Sequence, residues 1–579
     1  MTPHTGTVDL LIIGAGLHGL TMAKTYLEVN PSARLLVVDK ARTVGGTWAH
    51  ERLYPGLRTN NIYGTYELSG YPMRLKGCVR RPTHIPGQVV YDYFCAVVDR
   101  FRIKPHLLLC TTVTATKLND DSSWDVTLQY LMKPRQPSET VRAARLVIAT
   151  GLTSKAHKPH IPGSDTFKGL ILHSKQLKQK AKALAKCPRV AVIGGNKSAW
   201  DVCYTAALHG SQVHLIIRPS GGGPSYLWPK SFSLDPFGLF TVSLAWLSLT
   251  RLFILFDPSP FTDTGPYMYL KRFLHRTSLG QLLCRFFWWY LDCLIRRHNN
   301  YASHPELKKL EPWITPFWMG NSLSINNYPS SWFDLVRQGL ISVHIADVAS
   351  LSKERVHLAD GEIIGVDAVV LCTGWETDIP VELDEEGVTV DERNEALKTI
   401  YERIPYLNNF QRRTPNAPAY KGNQQASKRA SKPPLLYRNI IPCQQSFLQQ
   451  KNLAFIGMSV SIHAVLVAQA QALWITAFLA DRIPQLHSDN LLSKVRSRAI
   501  LDRVYGEVRR PRETGGLAGQ HADLVFDSLP YVDDLLADLG LSGTRKRGWW
   551  RELTEGYGVT DYYGLVIEWM RLQGLEVLN

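Results

Sequence analysis

VDLLIIGAGLHGLTMAKTYL, residues 8–27, sets a short apolar run against a helical one and places Gly14, Gly16 and Gly19 between them. That order is the context in which G-x-G-x-x-G carries weight. Gly14 permits the tight turn, Gly16 lets the backbone approach a pyrophosphate, and Gly19 lets helix and strand pack closely. The phosphates would rest on the helix N-terminus, where free N–H groups and the dipole favour an anion. Further on, ARLLVVDK (33–40) ends a second apolar run at Asp39, followed by Lys40. An acid at that distance accepts hydrogen bonds from ribose hydroxyls.

Outward from this turn, TVGGTWAHERLYPGLRTNN (43–61) adds a second glycine pair, Gly45 and Gly46, then Thr47 and Trp48, then Tyr54, Pro55, Gly56 and Asn60. A dehydrogenase that binds only NAD has no use for these residues. FAD must be followed from its adenosine to the flavin ring, so FAD is the expected cofactor of this first site.

PRVAVIGGNKSAWDVCYTAALHGSQVHLIIRPS (188–220) repeats strand, turn, helix and strand about 180 residues later. Gly194, Gly195 and Ala199 fit the turn, with Lys197 and Ser198 opening the helix, but Asn196 replaces the middle glycine. Asparagine tolerates left-handed backbone better than most residues, yet its side chain stands where a pyrophosphate should pass. The next strand ends in Arg218 where the first unit has Asp39. An acid there suits a free ribose hydroxyl, whereas a guanidinium suits the 2′-phosphate of NADPH through paired, charge-assisted hydrogen bonds. The bland alternatives are a solvated strand end for Arg218 and a solvated first-turn lysine for Lys197.

The chain has 579 residues, enough for two or three domains and a large core. Its formal charge of +16 is scattered along the sequence and reads as solubility plus attraction for an anionic cofactor, with no nucleic-acid partner. Nine cysteines without a C-x-x-C pair argue against a zinc site or any other metal centre, and fit a reducing, cytoplasmic setting. They also exclude a disulfide reductase, which shares the two-nucleotide plan but needs a redox dithiol. The first apolar run carries Asp9 and no basic leader, so it reads as a strand and not as a signal peptide.

Short apolar runs alternating with helical stretches predict an α/β fold. It comprises two dinucleotide-binding, Rossmann-like domains, the NADPH domain inserted into the FAD domain, plus a largely helical insertion. The expected boundaries are 1–165 for the first part of the FAD domain and 166–380 for the NADPH domain, with the apolar insertion at about 219–305. A loop-rich insertion at 381–450 and a closing FAD segment with a C-terminal extension at 451–579 follow.

With these residues the chain resembles the class B flavin monooxygenases, the group that includes flavin-containing monooxygenases, N-hydroxylases and Baeyer–Villiger monooxygenases. Within it, the chain looks like the branch serving fungal secondary metabolism. The resemblance rests on GAGLHG (14–19), GGTW (45–48), YPGLRTN (54–60), the ATG of Ala149 to Gly151, GGNKSAWD (194–201), and Thr373-Gly374 before Trp375. NLAFIGM followed by QALW resembles the family's closing flavin segment, with Gly457, Gln471 and Trp474. It implies a cofactor set that also takes in Lys40, Arg58, Thr59, Tyr66, Val113 and Gly151. FKGLILH carries Phe167, Gly169 and His173 of the F-x-G-x-x-x-H signature, with Leu177 in place of an aromatic. The family uses this segment to link cofactor binding to domain movement; on the residues alone, His173 is a structural histidine at a domain junction.

The resemblance implies that NADPH reduces FAD, that O2 is captured as a flavin C4a-hydroperoxide, and that one oxygen passes to a small apolar or aromatic, polyketide-like metabolite. Asn60 matches the catalytic asparagine that supports this intermediate in flavin-containing monooxygenases; Baeyer–Villiger enzymes have aspartate there. They also have a Lys-Arg pair where PFWMGNSLSIN (316–326) offers Asn321 and Ser322. An anionic peroxyflavin without a cation is costly in a low-dielectric site, so the protonated form and transfer to electron-rich nitrogen, sulfur or carbon are expected. Baeyer–Villiger oxidation of a ketone is the alternative, open if the insertion brings Arg251, Arg272 or Arg276 to the flavin. A scaffold without turnover is a second alternative, resting on Asn196 and Leu177.

PFGLFTVSLAWLSLTRLFILF (236–256) approaches a bilayer span in length but holds Arg251. It reads as a core helix pair or an apolar lid, against peripheral membrane contact through 236–256. Trp288, Trp289 and Tyr290 suit a large apolar substrate. QRRTPNAPAYKGNQQASKRASKPP (411–434) reads as an exposed loop.

Overall fold

Leu10, Leu11, Ile12 and Ile13 leave no polar face, so the strand they form is stable only when covered on both sides, as in a parallel sheet. The computed structural model places them at the centre of one. It describes residues 7–577 apart from 74–82, 236, 260–266, 378, 384–386, 416, 419–432, 488 and 516–519. Most of the stretch read as an exposed loop, 419–432, lies outside the described residues.

The first third contributes β1 (Leu10–Ile13), α1 (Leu17–Val29), β2 (Leu35–Val38), β3 (Arg58–Ile62), β4 (His84–Pro86), β5 (Leu107–Leu108) and β6 (Leu146–Ile148). The middle contributes β7 (Leu170–His173), α2 (Leu177–Leu184), β8 (Arg189–Ile193), α3 (Lys197–Leu208) and β9 (Gln212–Ile216). Four helices of the insertion come next: α4 (Leu244–Leu247), α5 (Arg251–Phe256), α6 (Met268–Arg276) and α7 (Ser278–Asn299). After them run β10 (Ile341–His344), β11 (Ala368–Leu371), β12 (Leu453–Phe455), α8 (Ala464–Leu479) and α9 (Leu491–Arg509).

Two parallel sheets result. The first has the order β12-β6-β1-β2-β5, with Leu10 opposite Leu35 and Ile13 opposite Val38. The second has the order β7-β11-β8-β9-β10, with Ile193 opposite Leu371. All strands of the second sheet lie in sequence between β6 and β12, which are neighbours in the first (Phe455 opposite Ile148). The second dinucleotide fold is therefore inserted into the first, as expected. Helix α8 is apolar all round and nearly every residue is buried, so it is a core helix. Residues 464–487, which contain it, are the one described segment long and apolar enough to cross a membrane, and 78% of that stretch is buried within the protein.

The 236–256 run is not one helix. Ser243 and Thr250 interrupt it as N-caps, accepting from the Trp246 and Phe253 N–H groups at 3.3 and 3.2 Å, and this divides it into α4 and α5. Leu244, Leu247, Phe253 and Leu255 are buried in the main core, so the core-helix reading fits. Only the residues before α4 are strongly exposed, with Phe237, Leu239 and Phe240 at 84, 75 and 67%.

Candidate flavin and nicotinamide sites

The first cradle is built by close approach. A Cβ on Gly14, whose φ is +119°, would lie 2.3 Å from the Ala149 carbonyl oxygen, and one on Gly19 would lie 1.8 Å from the Gly14 oxygen. Any larger residue at Gly19 forces α1 off β1. Gly46 folds back over the turn, so that its own Cβ would meet the Gly16 Cα at 2.9 Å. Asp39 is fixed above the turn, its Oδ2 accepting from the Ala15 N–H at 2.6 Å and its Oδ1 from the Ala41 N–H at 2.8 Å. The remaining lone pairs of its carboxylate are left for ribose hydroxyls. Gly16 gives α1 no side-chain cap, and its first turn holds no acid, so the helix N-terminus keeps its donors for phosphate. These residues fit FAD.

From this turn the flavin-side residues continue in order. The Thr47 and Thr153 hydroxyls meet at 3.0 Å beside Gly151, and the Trp48 Nε1–H donates to the Tyr66 hydroxyl at 2.8 Å. Burial pushes the Tyr66 phenol up to about 12, keeping it neutral. Lys40 is exposed behind Asp39. The Thr111 N–H donates to the Asp39 carbonyl at 3.0 Å, which brings Val113 to the same edge. Arg58 donates to the His84 carbonyl at 3.2 Å. Thr59 and Asn61 are clamped: Asn327 donates to the Thr59 carbonyl at 3.0 Å, and Asn61 to the Ile462 carbonyl at 2.6 Å. Asn60 stands between them, half-buried, with no hydrogen bond to its amide among the described residues.

In the closing segment a Cβ on Gly457 would lie 2.6 Å from the His18 ring. Gln471 was expected among the cofactor-binding residues, but it is fully buried and its amide is spent on protein. Its Oε1 accepts from the Gly457 N–H at 3.1 Å, and its Nε2 donates to the Tyr531 hydroxyl at 2.8 Å. It positions Gly457 and does not itself reach outward.

The second cradle matches the first with one change. A Cβ on Gly194 would meet the Cys372 oxygen at 2.5 Å, and one on Gly195 the Gly223 oxygen at 2.6 Å. Asn196 has φ −98° and ψ 179°, an extended conformation close to that of Gly16 (φ −81°, ψ −172°). The left-handed backbone considered for Asn196 is therefore not what the turn requires. Asn196 caps α3 without a side-chain bond and no acid follows in its first turn, so this N-terminus also keeps its donors. Ala199 is buried beneath the turn and Ser198 half-buried beside it. Lys197 is not a solvated lysine: it pairs with Asp201 and stands 4.5 Å from the Tyr328 ring centroid. Arg218 is exposed at the end of β9 with no ion pair among the described residues, which leaves its guanidinium available.

His173 fastens the end of β7 to the segment that follows β11. Its Nδ1 accepts from the Lys175 N–H at 3.1 Å, which leaves Nε2–H to donate to the Gly374 carbonyl at 3.1 Å. Its ring stands edge-on to Trp375, and burial holds its pKa below the usual imidazole value.

The pyridine nucleotide-disulphide oxidoreductase family profile matches residues 11–226, both cradles included. An FAD-dependent monooxygenase of Aspergillus nomiae is 31% identical over 98% of this chain and 99% of its own. One of Aspergillus sclerotiorum is 30% identical over 99% of each. The chain belongs to the FAD-dependent monooxygenases. Its fold is shared with cyclohexanone monooxygenase from Rhodococcus sp. Phi1, at TM-score 0.59 and 18% identity over 92% of this chain and 97% of that one.

In this monooxygenase the cations suggested from sequence do not reach the flavin segments. Arg251 is committed to Asp533 and, at 3.0 Å, to Glu552; Arg272 and Arg276 are exposed on α6. A different arginine approaches the 316–326 stretch. A Cβ on Gly320 would lie 2.8 Å from the Arg510 Nε and 2.3 Å from the Asp523 Oδ2. Arg510 is 1% exposed, and its Nε and one Nη have no hydrogen-bond partner among the described residues. Neither residue is visible as a site residue in sequence, because the end of α9 and the strand Ala522–Asp523 return to this place only through tertiary structure. The monooxygenase also gathers Lys40, Arg52, Lys158 and Lys175 between its two cradles, close enough that the first three depress Lys175 after burial does.

Proposed function

We propose that this enzyme uses NADPH and O2 to place one oxygen atom on a small, apolar or aromatic secondary metabolite, at an electron-rich nitrogen, sulfur or carbon. The observation that carries this reading is Asn60: an amide with neither donor nor acceptor engaged among the described residues, on a strand whose neighbouring residues are clamped. When bound, FAD supplies the oxygen-activating ring and NADPH the hydride that reduces it. Gly14, Gly16, Gly19 and Asp39 hold the first, and Gly194, Gly195, Lys197 and Arg218 the second. Asn60 would then offer a neutral hydrogen bond to the oxygen being transferred, from a strand held in place by the clamped residues on either side.

The test is coupling. With Asn60→Ala and Asn60→Asp, flavin content stays constant, oxygenated product per NADPH falls by about tenfold or more, and H2O2 rises to match. Host extracts with and without the protein identify the product as a mass gain of one oxygen. Unchanged coupling in both variants removes Asn60 from the chemistry.

Arg510 favours a second reading. A buried guanidinium beside Gly320 is a cation of the kind that Baeyer–Villiger oxidation of a ketone needs, reached from the C-terminal extension. A ring-expanded or ester product, lost in Arg510→Met with flavin retained, selects it over simple oxygenation.

A further inference from the structure

Helix α7 carries two apolar stripes where a core helix needs one. Gly280, Cys284, Trp288, Leu291 and Ile295, three or four apart, face the core and are buried. On the opposite side Leu279, Leu282, Leu283, Phe286 and Trp289 follow the same spacing and are exposed, Leu282 and Phe286 at 62 and 58%. At 1.5 Å per residue this outer stripe is about 15 Å long.

Neighbouring elements extend it at both ends. Gly280 packs against the Phe273 carbonyl, so α6 follows with Tyr269, Leu270 and Phe273 exposed. The Tyr267 hydroxyl donates to the Trp549 carbonyl at 3.0 Å and brings up exposed Trp549 and Trp550. At the other end the Tyr290 hydroxyl donates to the Leu234 carbonyl at 2.8 Å, bringing the loop that carries Phe237, Leu239 and Phe240. An apolar band of this extent on a protein surface marks a place where something binds.

Charge selects the occupant. Residues 268–299 contain Lys271, Arg272, Arg276, Arg285, Arg296 and Arg297 against a single acid, Asp292, which is taken by Arg296 at 2.8 Å. Arg272, Arg276, Arg285 and Arg297 are exposed among the apolar side chains. A second copy of this chain would bring the same cations against themselves. An anionic lipid surface satisfies both halves of the pattern: tryptophan and tyrosine sit at headgroup depth, leucine and phenylalanine enter the acyl boundary, and arginine reaches the phosphates.

We propose that α6, α7 and the 237–240 loop dock this enzyme on the surface of an anionic bilayer without spanning it. None of the residues of the band belongs to either glycine-rich cradle, so the inference stands or falls independently of the oxygenation chemistry.

The full-length, flavin-loaded protein is sedimented with vesicles of phosphatidylcholine alone and of phosphatidylcholine with about one third phosphatidylserine. It binds the second and not the first, and about 0.5 M salt weakens binding. Phe286→Glu with Trp289→Glu, and separately Arg272→Glu with Arg276→Glu, each lower the affinity about tenfold or more, while flavin absorbance and circular dichroism are unchanged. The proposal is overturned by absence from both vesicle pellets, by equal binding to the two lipids, or by variants that bind like the parent. It is also overturned if the parent is a dimer that the Phe286 and Trp289 changes dissociate, since the band is then a subunit seam.

Discussion

The Tyr54 hydroxyl donates to the Asp201 carboxylate at 2.7 Å and ties the flavin-side loop to the first turns of α3. The same carboxylate accepts from the Tyr328 hydroxyl at 2.8 Å and from Lys197. Burial pushes both phenols well above their ordinary range, so each remains a donor at any working pH. Tyr54→Phe deletes one charge-assisted bond, an effect of about 1.5–3 kcal/mol, and leaves the ring in place. The seam beside the second cradle loosens: the KM for NADPH rises about tenfold, kcat moves less, and the flavin-to-protein ratio holds. Steady-state NADPH oxidation decides this, and an unaltered KM reduces the bond to a local staple.

Arg218 tests the identity of the second cofactor. Its free guanidinium at the end of β9 is where the first cradle has Asp39, so the two strand ends carry opposite charge. With the 2′-phosphate as its partner, Arg218→Ala costs about 1.5–3 kcal/mol with NADPH, a loss of roughly tenfold to a hundredfold in kcat/KM. NADH, which lacks that phosphate, is affected little. Equal losses with both cofactors mean that Arg218 does not read the ribose.

Both parallel sheets were legible because β1, β8 and their partners are dominated by apolar residues, and glycine turns mark where β1 and β8 pass into helices. The cradles could be read from Gly14 to Asp39 and from Gly194 to Arg218 because those contacts are local. The 236–256 run misled by composition: hydropathy sums its apolar residues, whereas Ser243 and Thr250 set the backbone by capping two short helices. At Asn196 the turn takes extended backbone, which any residue supplies, so a left-handed conformation is not needed there. Arg510 and Asn327 reach the site across long stretches of chain, and no spacing rule records such returns. Gln471 carries the family's motif while its buried amide serves the fold.

Acid sensitivity follows from buried imidazoles. Burial lowers His18, His84 and His521 to about 4, and His275 and His463 to about 3, from an unfolded value of 6.5. Above pH 6.5 both states hold these rings neutral and the stability they permit is fully present. Between pH 6.5 and 4 the unfolded chain takes up protons that the native state refuses, so stability falls by up to about 1.4 kcal/mol per pH unit for each ring. Three buried acids oppose this. Burial raises Asp527 to about 7, Asp533 to about 6, and Asp502 above its ordinary value, so the native state holds protons there that the unfolded chain has shed. Five rings outweigh three carboxyls, so the net effect of acidification between pH 6 and 4 is a loss of stability. Urea midpoints measured across this range therefore drop below pH 6.5. His275, with Nε2–H donating to the Leu255 carbonyl at 2.9 Å and Nδ1 accepting from Tyr406 at 2.9 Å, is the ring to remove. His275→Gln is less stable at pH 8 but loses less on acidification, so its curve converges on the parent's. Parallel curves exclude His275 from the titration.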